Sequence, residues 1–241
     1  MMTKFGGGTS GYFGDLRHRG AVIKDNGDSS GSVHFMELFD NLINIVSQGN
    51  VRRGHFAPYL PIEHPDIEEF LNIGKEGHPI QESTYAVTVG DAWLQEMVNG
   101  DPEKRRIWAK IIQRRTEIGY PYILFRDTVN NNTADVYKDK GMKIHASNLC
   151  SEICLPSSDE SSFVCCLSSI NLRHYHEWKD TDAVETMALF LDTVISDFMV
   201  RLESYRDSAD SYKRSTFQFM QRAYKFAKEH RALGIGVLGW H

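Results

Sequence analysis

Asn148, Cys150 and Glu152 stand at i, i+2 and i+4, so an extended backbone would turn an amide, a thiol and a carboxylate to the same side, where they could serve one substrate. Spacing alone leaves a plainer reading open, with Cys150 a buried apolar residue of a strand. Downstream, Cys165 and Cys166 lie in FVCCLSSINL (163–172), an apolar stretch expected to return a second strand beside the first and bring thiols together. Zinc is the competing chemistry, because Cys150-x3-Cys154 fits a ligand spacing and Cys165-Cys166 would add two thiolates. Adjacent cysteines on an extended chain point to opposite faces, however, and the surrounding sequence is apolar strand rather than a tight knuckle, so no metal site is expected.

The wider composition narrows the setting. A chain of 241 residues, 41% hydrophobic and 24% charged, has the makings of an ordinary globular protein of one large or two small domains. A formal charge of -5 argues against a general nucleic-acid footprint, which concentrates Lys and Arg, so any nucleotide bound is expected to be small. The start, MMTKFGGGTSGYFG, lacks the basic segment and apolar run of a secretory signal, and no stretch reaches the roughly 20 apolar residues of a membrane span. A cytoplasmic location is expected, the host cytoplasm if the gene is a phage's. In that compartment four cysteines do not suggest a disulfide framework.

The elements that must position these groups read as follows. The first 32 residues, rich in Gly, Ser and Asp, predict loops and turns. Phe35, Leu38, Phe39, Leu42, Ile43 and Val46 predict a helix to about Ser47, with Ser32 its N-cap. Gly49, Gly54, Pro58 and Pro61 predict a loop over 48–61, basic at Arg52 and Arg53. A helix from Pro65 should bury Ile67, Phe70 and Leu71; TYAVTV (84–89) predicts a strand and Asp91 opens a helix. Ile107, Trp108, Ile111 and Ile112 mark another helix, followed by a strand at 122–125 and a polar loop through Asn130, Asn131 and Asn132. Apolar positions from Val184 to Leu202 hold helical spacing, 217–227 predicts a helix beside it, and LGIGV (233–237) predicts a buried strand. Alternating strands and helices favour an α/β class.

Three ordered motifs then become specific. SNLCSEICLP (147–156) resembles the active-site segment S-N-L-C-x-E-I-x-L-P of aerobic, class I ribonucleotide reductase large subunits. CCLSSINL (165–172) resembles the family's C-x-L-S-x-x-N-L element, and RALGIGV (231–237) its R-x-L-G-I-G-V strand. The likeness covers essentially the whole chain and is strongest to phage-like versions. It implies part of a ten-stranded α/β barrel: effector and specificity loops over 1–61, the active-site region over 143–172, and a helical pair with a strand over 182–241.

The resemblance also implies roles. The cysteine matching Cys150 becomes a thiyl radical that removes the 3′ hydrogen of a ribonucleoside diphosphate. Glu152 takes the 3′-OH proton, Asn148 and Ser147 hold the substrate, and Cys165 is one of two reducing cysteines that end as a disulfide. The partner cysteine lies outside this chain, and Cys154 and Cys166 read as structural. Gly7 and Gly8 align with a turn at the substrate base. SQGNVR (47–52) resembles the loop relaying effector identity to substrate choice, with Gln48 and Arg52 on the substrate, although Asn50 and Arg53 depart from the usual S-Q-G-G-V-R-G-G. Arg17 and Lys24 match the loop that grips effector phosphates. No cofactor is expected on the chain itself: the radical comes from a metal-containing small subunit, the reductant is thioredoxin or glutaredoxin, and the effectors are nucleoside triphosphates. Because the family's large subunit is far longer, the chain is expected to be an internal fragment from a split or interrupted gene. It would then be inactive alone and need complementary fragments to form the homodimeric enzyme, without nucleic-acid or membrane partners. The alternative is a non-catalytic nucleotide-binding remnant or interaction module.

Overall fold

A computed structural model describes residues 2–47 and 52–240, and the chain divides into two compact units, one ending at Leu155 and one beginning at Pro156. Gln48, Gly49 and Asn50 therefore lie outside the described residues.

The first unit is built on a parallel sheet of β1 (Gly8–Tyr12), β4 (His55–Pro61), β5 (Ala86–Val89) and β6 (Tyr122–Phe125), in the order β1-β4-β5-β6. Between β1 and β4 lie a small antiparallel hairpin, β2 (Val22–Ile23) and β3 (Gly27–Asp28), and helix α1 (Ser32–Val46). Then come α2 (Ile67–Phe70), α3 (Asp91–Val98), α4 (Pro102–Ile118), α5 (Arg126–Asn131) and α6 (Asp135–Asp139). Side chains alternate across the strands. Phe56, Leu60, Val87 and Val89 join one core with Val33 and Met36 of α1, Phe70 of α2, Trp93 of α3 and Ile111 of α4. The opposite face presents Ala57, Tyr59, Ala86 and Leu124 to Ala146 and Leu149. A parallel sheet covered on both faces is the usual solution for strands whose crossovers are helical. Helix α4 has defined ends: the Asp101 carboxylate accepts from the backbone N–H of Glu103 and Lys104 (both 3.0 Å), Pro102 starts the first turn, and Gly119 closes it at φ 81°.

Several expectations need correcting. The glycine-rich leader holds a strand, β1, because its residues pair along β4 from Gly8↔His55 to Tyr12↔Tyr59. The span expected as a loop at 48–61 contains the central strand β4, in spite of two prolines. Tyr59 O accepts from Phe13 N (2.9 Å), so the polar groups of Tyr59 face β1, those of Pro58 face β5 and those of Pro61 face β1. Pairing with β5 begins only at Tyr59 and pairing with β1 ends there, so neither proline displaces a ladder bond. Ser32 is the first residue of α1 rather than its cap: Gly31 precedes the helix, and the Ser32 N–H donates to the Asp66 carboxylate (2.8 Å). Asn130 and Asn131 end α5 instead of forming a loop, with Asn130 bonded to Arg126 O (2.9 Å) and to both backbone groups of Ile144 (2.9 and 3.0 Å).

In the second unit β7 (Leu167–Asn171) pairs in parallel with β8 (Gly234–Leu238), joined through α7 (Tyr175–Trp178), α8 (Ala183–Arg206) and α9 (Ser211–His230). Leu191, Ile195 and Leu202 of α8 are buried, as are Ala223, Phe226 and Ala227 of α9. The strand expected at 233–237 is present but not buried: a two-stranded sheet covers little, and Val237 is 54% exposed. The strand expected after Cys165 and Cys166 is β7, which pairs with β8.

Ile111 is fully buried, so Ile111→Ala should cost about 2–5 kcal/mol of stability, while Asp101→Ala, which removes the α4 cap and a solvent-screened ion pair with Lys104, should cost about 1 kcal/mol. Urea unfolding followed by circular dichroism measures both; an equal loss for the two variants would contradict this account of the core.

Candidate functional site

The stretch from Asn148 to Cys154, expected to be extended, is bent. The Ser151 N–H donates to Asn148 O (3.3 Å) and Ser151 is left-handed at φ 72°, so Leu149 and Cys150 form the centre of a tight turn. That geometry abolishes the simple same-side arrangement of positions 148, 150 and 152 and instead carries Cys150 outward, where its side chain is exposed.

The turn is fastened to the inner face of the sheet. Tyr59, fully buried on β4, donates its hydroxyl to Asn148 O (2.8 Å), and Ser10 on β1 donates to Ser147 O (2.6 Å). Ser147 is buried as well; its hydroxyl donates to Ile153 O (2.7 Å) and lies 3.1 Å from Asn148 Oδ1, which accepts from the Ile153 N–H (3.3 Å). Ser147 and the Asn148 side chain therefore close the base of the loop. Leu149 packs into the cluster of Ala57, Tyr59, Ala86 and Leu124. Gly8 lies beneath it, and a Cβ there would overlap the Leu149 side chain. Gly8 is thus a close-approach glycine.

The electrostatics suit a protonated thiol. Burial first, and then the Glu152 carboxylate, push Cys150 above its ordinary pKa, and the same two causes raise Cys154. Burial is also the main cause that pushes Tyr122 up to about 12, aided by Tyr120 and by the charges that Cys150 and Tyr59 would carry. Tyr120 and Tyr122 meet edge to face with centroids 5.2 Å apart.

The structure gathers Ser147, Asn148, Cys150 and Glu152 with Gly8 in the first unit. Arg52 lies against the same glycine run: a Cβ on Gly6 would come within 2.7 Å of its Cγ. Gly7 O accepts from the His55 N–H (3.4 Å), and Arg53 lies 3.9 Å from Glu82. Arg17 and Lys24 are exposed in the loop and hairpin that follow β1. Cys165 is exposed in the second unit. Tyr59, Ser10 and Tyr122 were not singled out from sequence, and no local signal marks them, since Ser10 and Ser147 are 137 positions apart.

A parallel α/β sheet carrying a cysteine-tipped loop on its inner face defines the class, and the chain belongs to the family described as "Ribonucleotide reductase, barrel domain", whose model matches residues 1–102 and 96–241. Among solved structures, the class Id ribonucleotide reductase alpha subunit of Actinobacillus ureae is 54% identical with a TM-score of 0.86, covering 100% of this chain and 42% of that one. A Frog virus 3 protein named for the ribonucleoside-diphosphate reductase large subunit is 33% identical over 258 residues, 99% of this chain and 43% of that protein. The ribonucleoside-diphosphate reductase subunit alpha of Chlamydia trachomatis is 26% identical over 293 residues, 100% of this chain and 26% of that one. The chain spans less than half the length of these relatives. No helix among the described residues is long and apolar enough to cross a membrane.

Because the Glu152 charge raises the Cys150 pKa, Glu152→Gln should lower it toward the ordinary thiol value. In a background with the other three cysteines replaced by serine, the midpoint of the pH–rate profile for alkylation of Cys150 should move down. A midpoint that stays put or rises would show that the carboxylate does not act on this thiol.

Proposed function

We propose that this chain supplies the radical-bearing segment of a ribonucleoside-diphosphate reductase large subunit, reducing ribonucleotides to deoxyribonucleotides. The observation that carries the reading is the Cys150 turn itself, an exposed thiol at the tip of a loop bound by Tyr59 and Ser10, in a chain matched along its length by the barrel-domain family. A radical-generating small subunit supplies the oxidising equivalent that converts the Cys150 thiol to a thiyl. The remaining steps belong to residues of the large subunit. Cys150 forms an S–H bond as the ribose 3′ C–H bond breaks, Glu152 takes the 3′-OH proton and later returns it to the 3′ oxygen, and the 2′ hydroxyl leaves as water with a proton from the reducing thiol pair. Cys165 and a second cysteine outside this chain give two electrons and two protons and become a disulfide, and Cys150 returns the hydrogen to the 3′ carbon. Hydrogen-atom chemistry needs a thiol that keeps its proton at neutral pH, and the upward shift of Cys150 supports that use.

Around this centre, Ser147 and Asn148 set the ribose-side backbone, while Gly7, Gly8, Gln48 and Arg52 face the substrate. Arg17 and Lys24 take effector phosphates. Thioredoxin or glutaredoxin restores the thiols, and the working assembly includes the rest of the large subunit, a second copy and the small subunit, in the cytoplasm.

Reconstitution of that assembly tests the reading. Cys150→Ser should abolish deoxynucleotide formation while leaving nucleotide binding intact and stability within about 0.5 kcal/mol, as for an exposed side chain. Cys165→Ser should instead let hydrogen abstraction proceed and reduction fail, releasing free base. Turnover retained by Cys150→Ser would refute the assignment.

A further inference from the structure

Away from Cys150, the first unit contains a buried polar node in which Ser32, His64 and Asp66 are 0%, 7% and 6% exposed. The residue types are those of a hydrolytic triad, but their hydrogen bonds exclude that use. The Asp66 N–H donates to His64 Nδ1 (3.1 Å), so the ring proton sits on Nε2, which faces Leu16 O (3.1 Å) and Ser32 Oγ (3.2 Å). A protonated Nε2 cannot take the Ser32 proton. The carboxylate instead spends its two oxygens on two backbone segments: Oδ2 accepts from Ser32 N (2.8 Å) and Oδ1 from Arg19 N (2.9 Å).

Those segments lead in different directions. Arg19 belongs to the loop bearing Arg17, which is zipped to Ser29 by Gly20 N to Ser29 O (2.9 Å), Ser29 N to Ala21 O (2.8 Å) and Ser29 Oγ to Arg17 O (3.1 Å). Ser32 is the first residue of α1, which runs to Val46 and hands the chain to the segment bearing Arg52. The node is tightly fitted: Gly31 sits at φ 90°, and a Cβ there would lie 2.9 Å from the Arg19 Cβ and 3.0 Å from Asp66 Oδ2. The Arg19 guanidinium is held separately at the surface by Glu69 (2.8 and 2.6 Å).

We infer that Asp66, with its backbone set by His64, is the positioning residue that makes the Arg17 loop and helix α1 move together, and so carries the effector state toward Arg52. The inference rests on the reading that Arg17 and Lys24 take effector phosphates and that Gln48 and Arg52 face substrate. One carboxylate serving the buried Ser32 N–H and the part-buried Arg19 N–H ties the two segments to one point, since losing either partner away from bulk water is costly. Glu69 acts only on the exposed side chain of Arg19 and is not part of the link.

The experiment separates the bond from its surroundings. Ser32→Pro removes the N–H that Asp66 accepts while suiting the first helical position, and Ser32→Ala removes only the hydroxyl. Asp66→Asn leaves one acceptor for two donors, and Arg19→Ala keeps the backbone N–H. In the assembled reductase, the product ratio from two competing ribonucleoside diphosphates is measured with each nucleoside triphosphate, beside effector-free turnover and effector affinity. Ser32→Pro and Asp66→Asn should keep effector-free turnover and effector affinity within about twofold but lose at least about fivefold in the effector-driven change of product ratio, the lower end of typical allosteric couplings. Ser32→Ala and Arg19→Ala should respond as the parent does. Parent-like responses in Ser32→Pro and Asp66→Asn would overturn the inference, as would loss of fold in both by circular dichroism, which would make the node merely structural. A parent enzyme that binds no effector, or whose ratio ignores it, would bring down the underlying reading of the loops instead, and the node's role with it.

Discussion

The backbone at 147–149 is held against one face of the sheet, close enough that Gly8 has no room for a side chain beneath Leu149, and much of the first unit follows from that contact. Gly8, Ala57 and Ala86 provide the space on three neighbouring strands, and Leu149 fills it. Drawing the loop down buries peptide carbonyls that would otherwise be hydrated, and the sheet answers them with hydroxyls from Tyr59 and Ser10. A side chain at Gly8 would run into Leu149 and lift the turn from those donors. The strands on this face therefore act as a template whose shape sets where the thiol stands.

The same closeness governs the chemistry of the tip. Cys150 is exposed enough to meet another molecule, yet near enough to the protein surface and to Glu152 that its charged form is disfavoured. A catalytic cysteine that works as a nucleophile would call for the opposite, a positive neighbour or a helix N-terminus that favours thiolate. The sign of the shift thus separates two ways of using sulfur.

Sequence reasoning reached the parts of this molecule that repeat. Helices α4, α8 and α9 declare themselves through buried positions such as Ile107 and Ile111, or Leu191, Ile195 and Leu202, and strands β5 and β6 through short apolar runs. It missed β1, whose GTSGY carries no apolar alternation, its face under the loop holding Gly8, Ser10 and Tyr12. It also missed β4, where prolines normally argue against a central strand, and it took the region around Cys150 to be straight. The motif singled out Cys150 as a resemblance, but spacing held no information on the left-handed Ser151 that bends the chain there. The partners that fix the turn come from β1 and β4, and contacts over such separations leave no periodicity to read.

Pro58 and Pro61 mark the limits of pairing on the two sides of β4. β1 cannot extend its ladder toward the C-terminal end of β4 without meeting Pro61, and β5 cannot extend toward the N-terminal end without meeting Pro58. The two neighbours are thereby kept staggered along β4, one pairing up to Tyr59 and the other from Tyr59 onward. Stagger of this kind is the shear that tilts strands and lets a sheet curl toward closure. Two imino acids that looked like loop residues thus write the stagger of its two neighbours into β4.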